Sequence, residues 1–334
     1  MKYFFLVVYL FLHAQTMAQQ QDIKSLQESA KNFVRQGDYN NAVVTLNKAV
    51  QQEPDNALIL KDLSFALYLQ KDYAKALETI KPLLDKKDAD VQVYQVAGLI
   101  YKGKEDFIEA DKLYKKGLKK FPESALLYND YGEFLWNKKD NNAIKQWEKG
   151  MEVDPNYANN YYNAARFTSD KTWSIIYGEI FVNIESYSRR TIEIKNLLLD
   201  GYKKLLTDTD ILKNLNTKNG FTVAYLTTIG RQSPDLSIGL TPESLTMVRT
   251  RFVLDWDDKY ASKFPFRLFE YHRQLLKEGL FEAYNQWLFG PIQNLTAFQN
   301  WTNKHAESYT EFTSFQRERV FKLPVGQNYQ TRKE

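Results

Sequence analysis

An alanine recurs at Ala42, Ala76, Ala110 and Ala143, at spacings of 34, 34 and 33 residues. Each is followed four positions later by an apolar residue: Leu46, Ile80, Tyr114 and Trp147. Tyr39, Tyr73 and Phe107 stand three positions before the first three alanines. Pro54, Pro122 and Pro155 close three of the units, with Asp88 in the equivalent place of the other. One such period is too short for a domain but long enough for two helices and their turns. Each unit can then bury its apolar face only by stacking on the next. The expected product is a solenoid of helical hairpins, an architecture that presents a surface and seldom performs chemistry.

The first unit shows how each hairpin is built. Ile23, Leu26, Ala30 and Phe33 share one face at helical spacing, and Gln36-Gly37-Asp38-Tyr39 interrupts it. Ala42, Leu46, Ala49 and Val50 form a second face, which Pro54-Asp55 ends. The small alanine suits a close helix approach, and the aromatic of the turn is expected to fill the gap between hairpins.

This pattern resembles the tetratricopeptide repeat (TPR) over about residues 23–157. Ala97-Gly98, Tyr101, Phe107, Ala110, Tyr114 and Pro122 fall in that family's register in the third unit. Tyr131-Gly132, Ala143, Trp147 and Pro155 do so in the fourth. The fourth turn, Lys138 to Asn142, is one residue shorter, and the second unit lacks its closing proline. A fifth unit starts at Ala158 with Tyr161, Ala164 and Ala165, then loses the pattern near Asp170, where a junction is expected. The resemblance implies an all-α chain: a TPR-type solenoid of about four repeats plus a partial fifth, followed by a helical C-terminal domain. The expected spans are a leader at 1–18, the solenoid at 19–169, the helical domain at 170–323 and a frayed tail at 324–334.

In that family the first helix of each hairpin lines a concave groove that takes an extended or helical peptide. The matching positions are Lys61, Phe65 and Tyr68 in the second unit and Gln92, Gln95 and Leu99 in the third. Asn129, Glu133 and Trp136 follow in the fourth, then Tyr162, Asn163 and Arg166 in the partial unit. Aromatics mixed with amides suit burial of a partner chain; the alternative is that Phe65, Tyr68 and Trp136 pack against neighbouring repeats or the C-terminal half. The subtype that grips acidic chaperone tails carries several basic and amide residues along the groove. Its places are taken here by Gln27, Lys31, Asp62, Gln92 and Val96, of which one is basic, so no carboxylate clamp of that kind is expected.

Met1-Lys2, ten largely apolar residues from Tyr3 to Leu12, and Thr16-Met17-Ala18 have the three-part form of a secretory signal. The apolar stretch is too short for a bilayer core of about 30 Å. Cleavage after Ala18 and a periplasmic or extracellular protein without stable membrane insertion are expected; an uncleaved anchor is the alternative. The chain has no cysteine, so no disulfide can support an exported fold and no lipid can be attached at a cysteine. A net charge of +4 over 334 residues, without a dense basic run, argues against nucleic acid as a partner.

Beyond Asp170 the period disappears but helical spacing persists. Trp173, Ile176, Tyr177, Ile180, Phe181 and Ile184 form one stripe. Helices are expected at Thr191–Leu206, from a Thr241-Pro242 start, and at Phe266–Lys277, Leu280–Phe289 and Leu295–His305. Phe221–Ile229 reads as helix despite its β-branched content. The aromatic series from Phe264 to Phe289 reads as a second core, with a sugar-stacking pocket as the alternative.

No phosphate loop, nucleophile elbow or zinc-protease helix is present in the sequence. His272 and His305 lack partners at metal-ligand spacing, Asp255-Trp256-Asp257-Asp258 lacks the glycine and ligand spacing of a calcium loop, and Asp208-Thr209-Asp210 reads as a helix cap. A hydrolase built on His272 and Glu270 is the weakest alternative. The expectation is a non-enzymatic scaffold without cofactor or metal, binding a protein or peptide partner in the cell envelope. A carbohydrate-binding module is the second reading.

Overall fold

The computed structural model describes residues 22–207, 218–232 and 239–331. The expected leader and the Asp208-Thr209-Asp210 cap lie outside these residues. Every regular element among the described residues is helical. Contacts divide the chain into two compact units, one ending at Pro122 and the other starting at Glu123.

The first unit comprises three hairpins. They pair α1 (22–36) with α2 (Tyr39–Gln52), α3 (Ala57–Leu69) with α4 (Tyr73–Leu84), and α5 (Val91–Gly103) with α6 (Phe107–Lys120). One device recurs in every turn. Gly37, Lys71 and Glu105 adopt positive φ angles of 78°, 67° and 59°. The aspartate that follows each of them (Asp38, Asp72 or Asp106) accepts a hydrogen bond from the backbone N–H three residues on. The left-handed residue reverses the chain, and the carboxylate satisfies a donor that the new helix leaves unpaired.

Ala42, Ala76 and Ala110 are completely buried. Beside this seam, small residues face large ones. A Cβ on Gly98 would sit 2.5 Å from the Tyr114 hydroxyl, so that tyrosine can lie there only against a glycine. Tyr73 covers Gly103 and tilts against Tyr68 at 5.9 Å between ring centroids, as expected of a turn aromatic. Phe107, by contrast, is 43% exposed.

The second unit begins with the fourth hairpin, α7 (Ala125–Asn137) and α8 (Asn142–Val153). Lys139 (φ 60°) and Asp140 keep the 34-residue register of Glu105 and Asp106. Asp140 caps Asn142 N at 2.9 Å, two residues on, so the missing residue is lost just after the capping aspartate. Trp147 is fully buried against Gly132, where a Cβ would lie 2.3 Å from the indole nitrogen.

A fifth hairpin follows, α9 (Ala158–Phe167) and α10 (Lys171–Ile184), in place of the expected junction. Asp170 caps α10 through the N–H groups of Thr172 and Trp173, and Ser174 Oγ donates to the Ala165 carbonyl at 2.6 Å. Residues 175–183 are all buried. A helix covered on every side has no polar stripe, which is why the repeat signature vanishes there while the hairpin persists. The expected boundary at 169/170 therefore falls inside a hairpin.

The remaining helices are α11 (Arg189–Leu206), α12 (Gly220–Gly230), α13 (Pro242–Lys259), α14 (Arg267–Lys277), α15 (Phe281–Gln293), α16 (Leu295–Lys304) and α17 (Ala306–Glu318). Thr241 and Ser244 form a reciprocal capping box at the start of α13. The β-branched residues of α12 are helical because Asn219 caps its start and Phe221 anchors it in an aromatic core. Phe221 meets Trp256 at 5.2 Å, Phe266 at 5.1 Å and Tyr329 at 4.8 Å between centroids. The series from Phe264 to Phe289 is thus core: Phe264, Phe266, Phe269, Tyr271, Phe281, Tyr284, Trp287 and Phe289 are all buried.

The segment after Pro324 is docked through residue 331, contrary to the expected fraying. Tyr329 is buried, stacks on Phe221 and donates its hydroxyl to the Pro265 carbonyl at 2.9 Å. Asn156 holds Leu323 at both ends of its side-chain amide: Nδ2 donates to the Leu323 carbonyl at 3.1 Å and Oδ1 accepts from the Leu323 N–H at 2.9 Å. Two buried apolar anchors in a polar stretch suffice to tie it down, and polarity alone conceals them.

Candidate functional site

The groove positions divide between the two units and between two kinds of role. In the first unit Lys61 is buried, and its ammonium donates to Asp90 at 3.1 Å and Gln92 at 2.5 Å, tying α3 to α5. Phe65 and Tyr68 are half-buried one turn apart and stack at 6.2 Å. Gln95 and Leu99 are half-buried, and Gln92 is exposed.

In the second unit Asn129 and Asn163 are buried. Asn163 Nδ2 donates to Asn129 Oδ1 at 2.9 Å and to Glu133 Oε1 at 3.1 Å, while Asn129 Nδ2 reaches the same Glu133 oxygen at 3.0 Å. Trp136 is half-buried and stacks on Phe167 at 4.3 Å. The Tyr162 ring is flanked by the guanidinium carbons of Arg166 at 4.7 Å and Arg190 at 4.8 Å. Its hydroxyl donates to Glu193 at 2.6 Å, and the same carboxylate pairs with Arg166 at 2.6 Å.

Lys61, Asn129 and Asn163 therefore belong to the packing and leave little for a ligand, a correction to their reading as groove contacts. They share a register: Gln27, Lys61, Gln95, Asn129 and Asn163 recur every 34 residues. A polar residue at one fixed position of the first helix is a signal for this row. Burial makes Gln27, Lys61, Asn129 and Asn163 bond to one another or to neighbouring side chains, because an unpaired buried polar group costs about 1–3 kcal/mol.

A cleft of about 450 Å³ opens in the first unit between α1 and α3. Ala30, Val34, Leu46 and Phe65 supply its apolar wall. Asp62 also lines it, held by Gln27 Nε2 at 3.4 Å. Burial raises the Asp62 carboxyl above its ordinary value, with opposing contributions from Lys31 and Lys61. Sequence reasoning placed Gln27 and Asp62 only as departures from another subtype's pattern, and so missed this pair.

The one hydrolase candidate dissolves in the structure. His272 is buried and Glu270, two residues away, is exposed on another face of α14. His272 Nε2 lies 2.9 Å from Glu179 instead. That carboxylate also accepts from Arg249, from Tyr284 at 2.9 Å and from Tyr202 at 3.1 Å. Burial would raise its pKa, but the Arg249 charge together with His272 and Tyr284 holds it down to about 2. Burial likewise pushes His272 below its ordinary value. Asp255 and Asp257 of the acidic run pair with Lys259 at 3.1 Å and Arg273 at 2.8 Å around a buried Trp256.

Lys195 is a further buried ionisable group that the sequence did not reveal. Its Nζ stands 3.6 Å from the Trp287 ring centroid and donates to the Trp287 carbonyl at 2.7 Å. That carbonyl would ordinarily accept the helical N–H of residue 291, but Pro291 has none. Lys195 thus completes a bond that α15 lacks. Burial lowers its pKa to about 7. Unfolded, the amine keeps its proton up to about pH 10.4, so the unfolded state binds more protons between those values and stability rises with pH across them. An increase of about 1–2 kcal/mol in unfolding free energy from pH 7 to pH 9 is expected. Denaturant titrations should show it in the wild type and not in Lys195→Met; an equal rise in both would assign it elsewhere.

Comparison with known proteins bears on these repeats. A family model described as tetratricopeptide repeat matches residues 33–100. Over this stretch the chain is similar to the tetratricopeptide repeat. The match spans the second-hairpin groove positions Lys61, Phe65 and Tyr68 and most of the first helix of the third. Among solved structures, a tetratricopeptide repeat protein from Parabacteroides merdae ATCC 43184 is similar at 17% identity and a TM-score of 0.42, covering 71% of this chain and 92% of that one. MamA (41-end) from Desulfovibrio magneticus RS-1 is similar at 16% identity and a TM-score of 0.38, covering 49% of this chain and 94% of that one. No curated protein matches the chain.

Proposed function

We propose that this chain is an exported, non-enzymatic scaffold whose TPR hairpins hold a peptide segment of a protein partner in the cell envelope. The cleft between α1 and α3 carries the reading. Phe65 belongs to its apolar wall and stacks on Tyr68, a half-buried aromatic pair on the first helix of a TPR hairpin. Half-buried aromatics beside a concavity are the usual anchors of protein recognition. The second unit, taken by itself, carries the same kind of chemistry in the Trp136–Phe167 stack and the Tyr162 platform. A scaffold role also fits the sealing of the ionisable groups around Glu179 within a core. Among the described residues no helix is long and apolar enough to cross a membrane.

A photo-crosslinking amino acid placed at Phe65 or Tyr68, compared with Val44 and Ile108, tests the groove in the native host. Val44 and Ile108 are exposed on the second helices α2 and α6. Adducts with a discrete partner at the first pair and none at the second are expected. The same adducts from all four positions would end the groove reading. Export is tested separately by N-terminal sequencing of the protein recovered from the envelope, which should begin at Gln19.

A further inference from the structure

We infer that the cleft between α1 and α3 selects a basic side chain of the bound peptide, with Asp62 as its counter-ion and the Val34–Leu46–Phe65 wall as the bed for its aliphatic stem. This rests on the groove reading and names the partner chemistry at one point of it.

The charges around the cleft differ in how they are satisfied. Glu28 at the rim pairs with Lys31 at 3.0 Å, and both are more than half exposed. Arg35, also at the rim, donates to Asn32 on its own helix. Lys61, the sequence neighbour of Asp62, is engaged by Asp90 and Gln92. Asp62 is the half-buried member of the set, and the partner found for it is the Gln27 amide at the long distance of 3.4 Å. The charges of Lys31 and Lys61 act on it from a distance, but each is held by another carboxylate, so this partly buried carboxylate has only a stretched amide bond where a direct cation or several strong donors would serve it.

The wall beside it is apolar. A lysine or arginine is the residue type that covers apolar surface with its stem while presenting a charge at its end. The rim cations Lys31 and Arg35 stand in water, where their repulsion of an incoming cation is screened, whereas Asp62 acts at short range in a drier place. Lys31 and Arg35 also line the cleft, but Lys31 is paired with Glu28 and Arg35 is exposed, so an acidic ligand gains a water-screened contact at best, and a purely apolar one leaves the carboxylate without a direct ion-pair partner.

The test is selection of random twelve-residue peptides on the whole protein, followed by anisotropy with the labelled peptides obtained. The wild type should enrich sequences with Lys or Arg beside an apolar residue. Asp62→Asn should weaken those peptides about tenfold or more, as expected for loss of a charged hydrogen bond. Replacing the basic residue of the peptide by norleucine should weaken binding to the wild type as much, and to Asp62→Asn far less. The norleucine comparison uses the wild type and stands even where a variant misfolds. Peptides without basic residues, or equal affinity for Asp62→Asn, overturn the Asp62 assignment; the groove reading survives that result where Phe65→Ala still weakens binding. No enrichment at all, or peptides indifferent to Phe65→Ala, removes both.

Discussion

Replacing Arg249 with methionine should lower the unfolding free energy by about 3–5 kcal/mol, the cost of leaving a buried charge without its partner. Arg249 and Glu179 have side chains that are each 2% exposed, and among the described residues Arg249 is the permanent positive charge that acts on the carboxylate, since burial depresses the His272 pKa. The variant should also reverse a pH response. In the wild type Glu179 is ionised down to about pH 2, so its contribution is present above the ordinary glutamate range and is lost only as the pH falls below it. Without Arg249, burial dominates and raises the Glu179 pKa above the unfolded value. Its contribution is then present at acid pH and lost as the pH rises, so Arg249→Met should be relatively more stable at pH 5 than at pH 8. Arg249→Met with Glu179→Leu should recover much of the loss, because a buried pair replaced as a whole costs far less than one broken. Guanidinium titrations at both pH values decide the matter. A loss under about 1 kcal/mol for the single variant would mean that water reaches the pair.

Trp147→Ala should cost about 3–5 kcal/mol, from lost burial and the cavity left behind. The indole is fully buried, donates to the Asn129 carbonyl at 3.3 Å and lies over Gly132. Gly132→Ala should separately cost about 1–3 kcal/mol, because its methyl would need the space the indole occupies. The two changes should not add. Once the indole is gone the methyl introduced at position 132 meets no obstacle and fills part of the void, so the double variant should be more stable than the sum of the single losses implies. A double-mutant cycle by thermal or denaturant unfolding measures this coupling. Strict additivity would place the glycine and the tryptophan in separate contacts.

Register and element type were legible in the residues themselves. The alanine period located the hairpins, the Thr241-Pro242 cap located the start of α13, and helical stripes located α10, α11, α14, α15 and α16. These features act over one or two turns, where hydrophobic spacing and capping dominate, so chain order alone carries them. The recurring aspartate at 38, 72, 106 and 140 belongs to the same class: its capping role needs nothing beyond its own turn.

What the linear pattern could not supply was the depth at which each polar group sits. Lys61, Asn129 and Asn163 occupy groove positions by register, yet neighbouring helices cover them and convert them into packing. Lys195 answers a proline 96 residues away, and Glu179 meets Arg249 across 70. Tyr329 anchors a stretch whose composition suggests a free end. In each case the deciding quantity is exclusion of water by segments remote in sequence, and burial of that kind exists only once the helices have packed. The hairpins and their seams follow from local residue order; the identity of the sealed and the accessible side chains follows from tertiary contact.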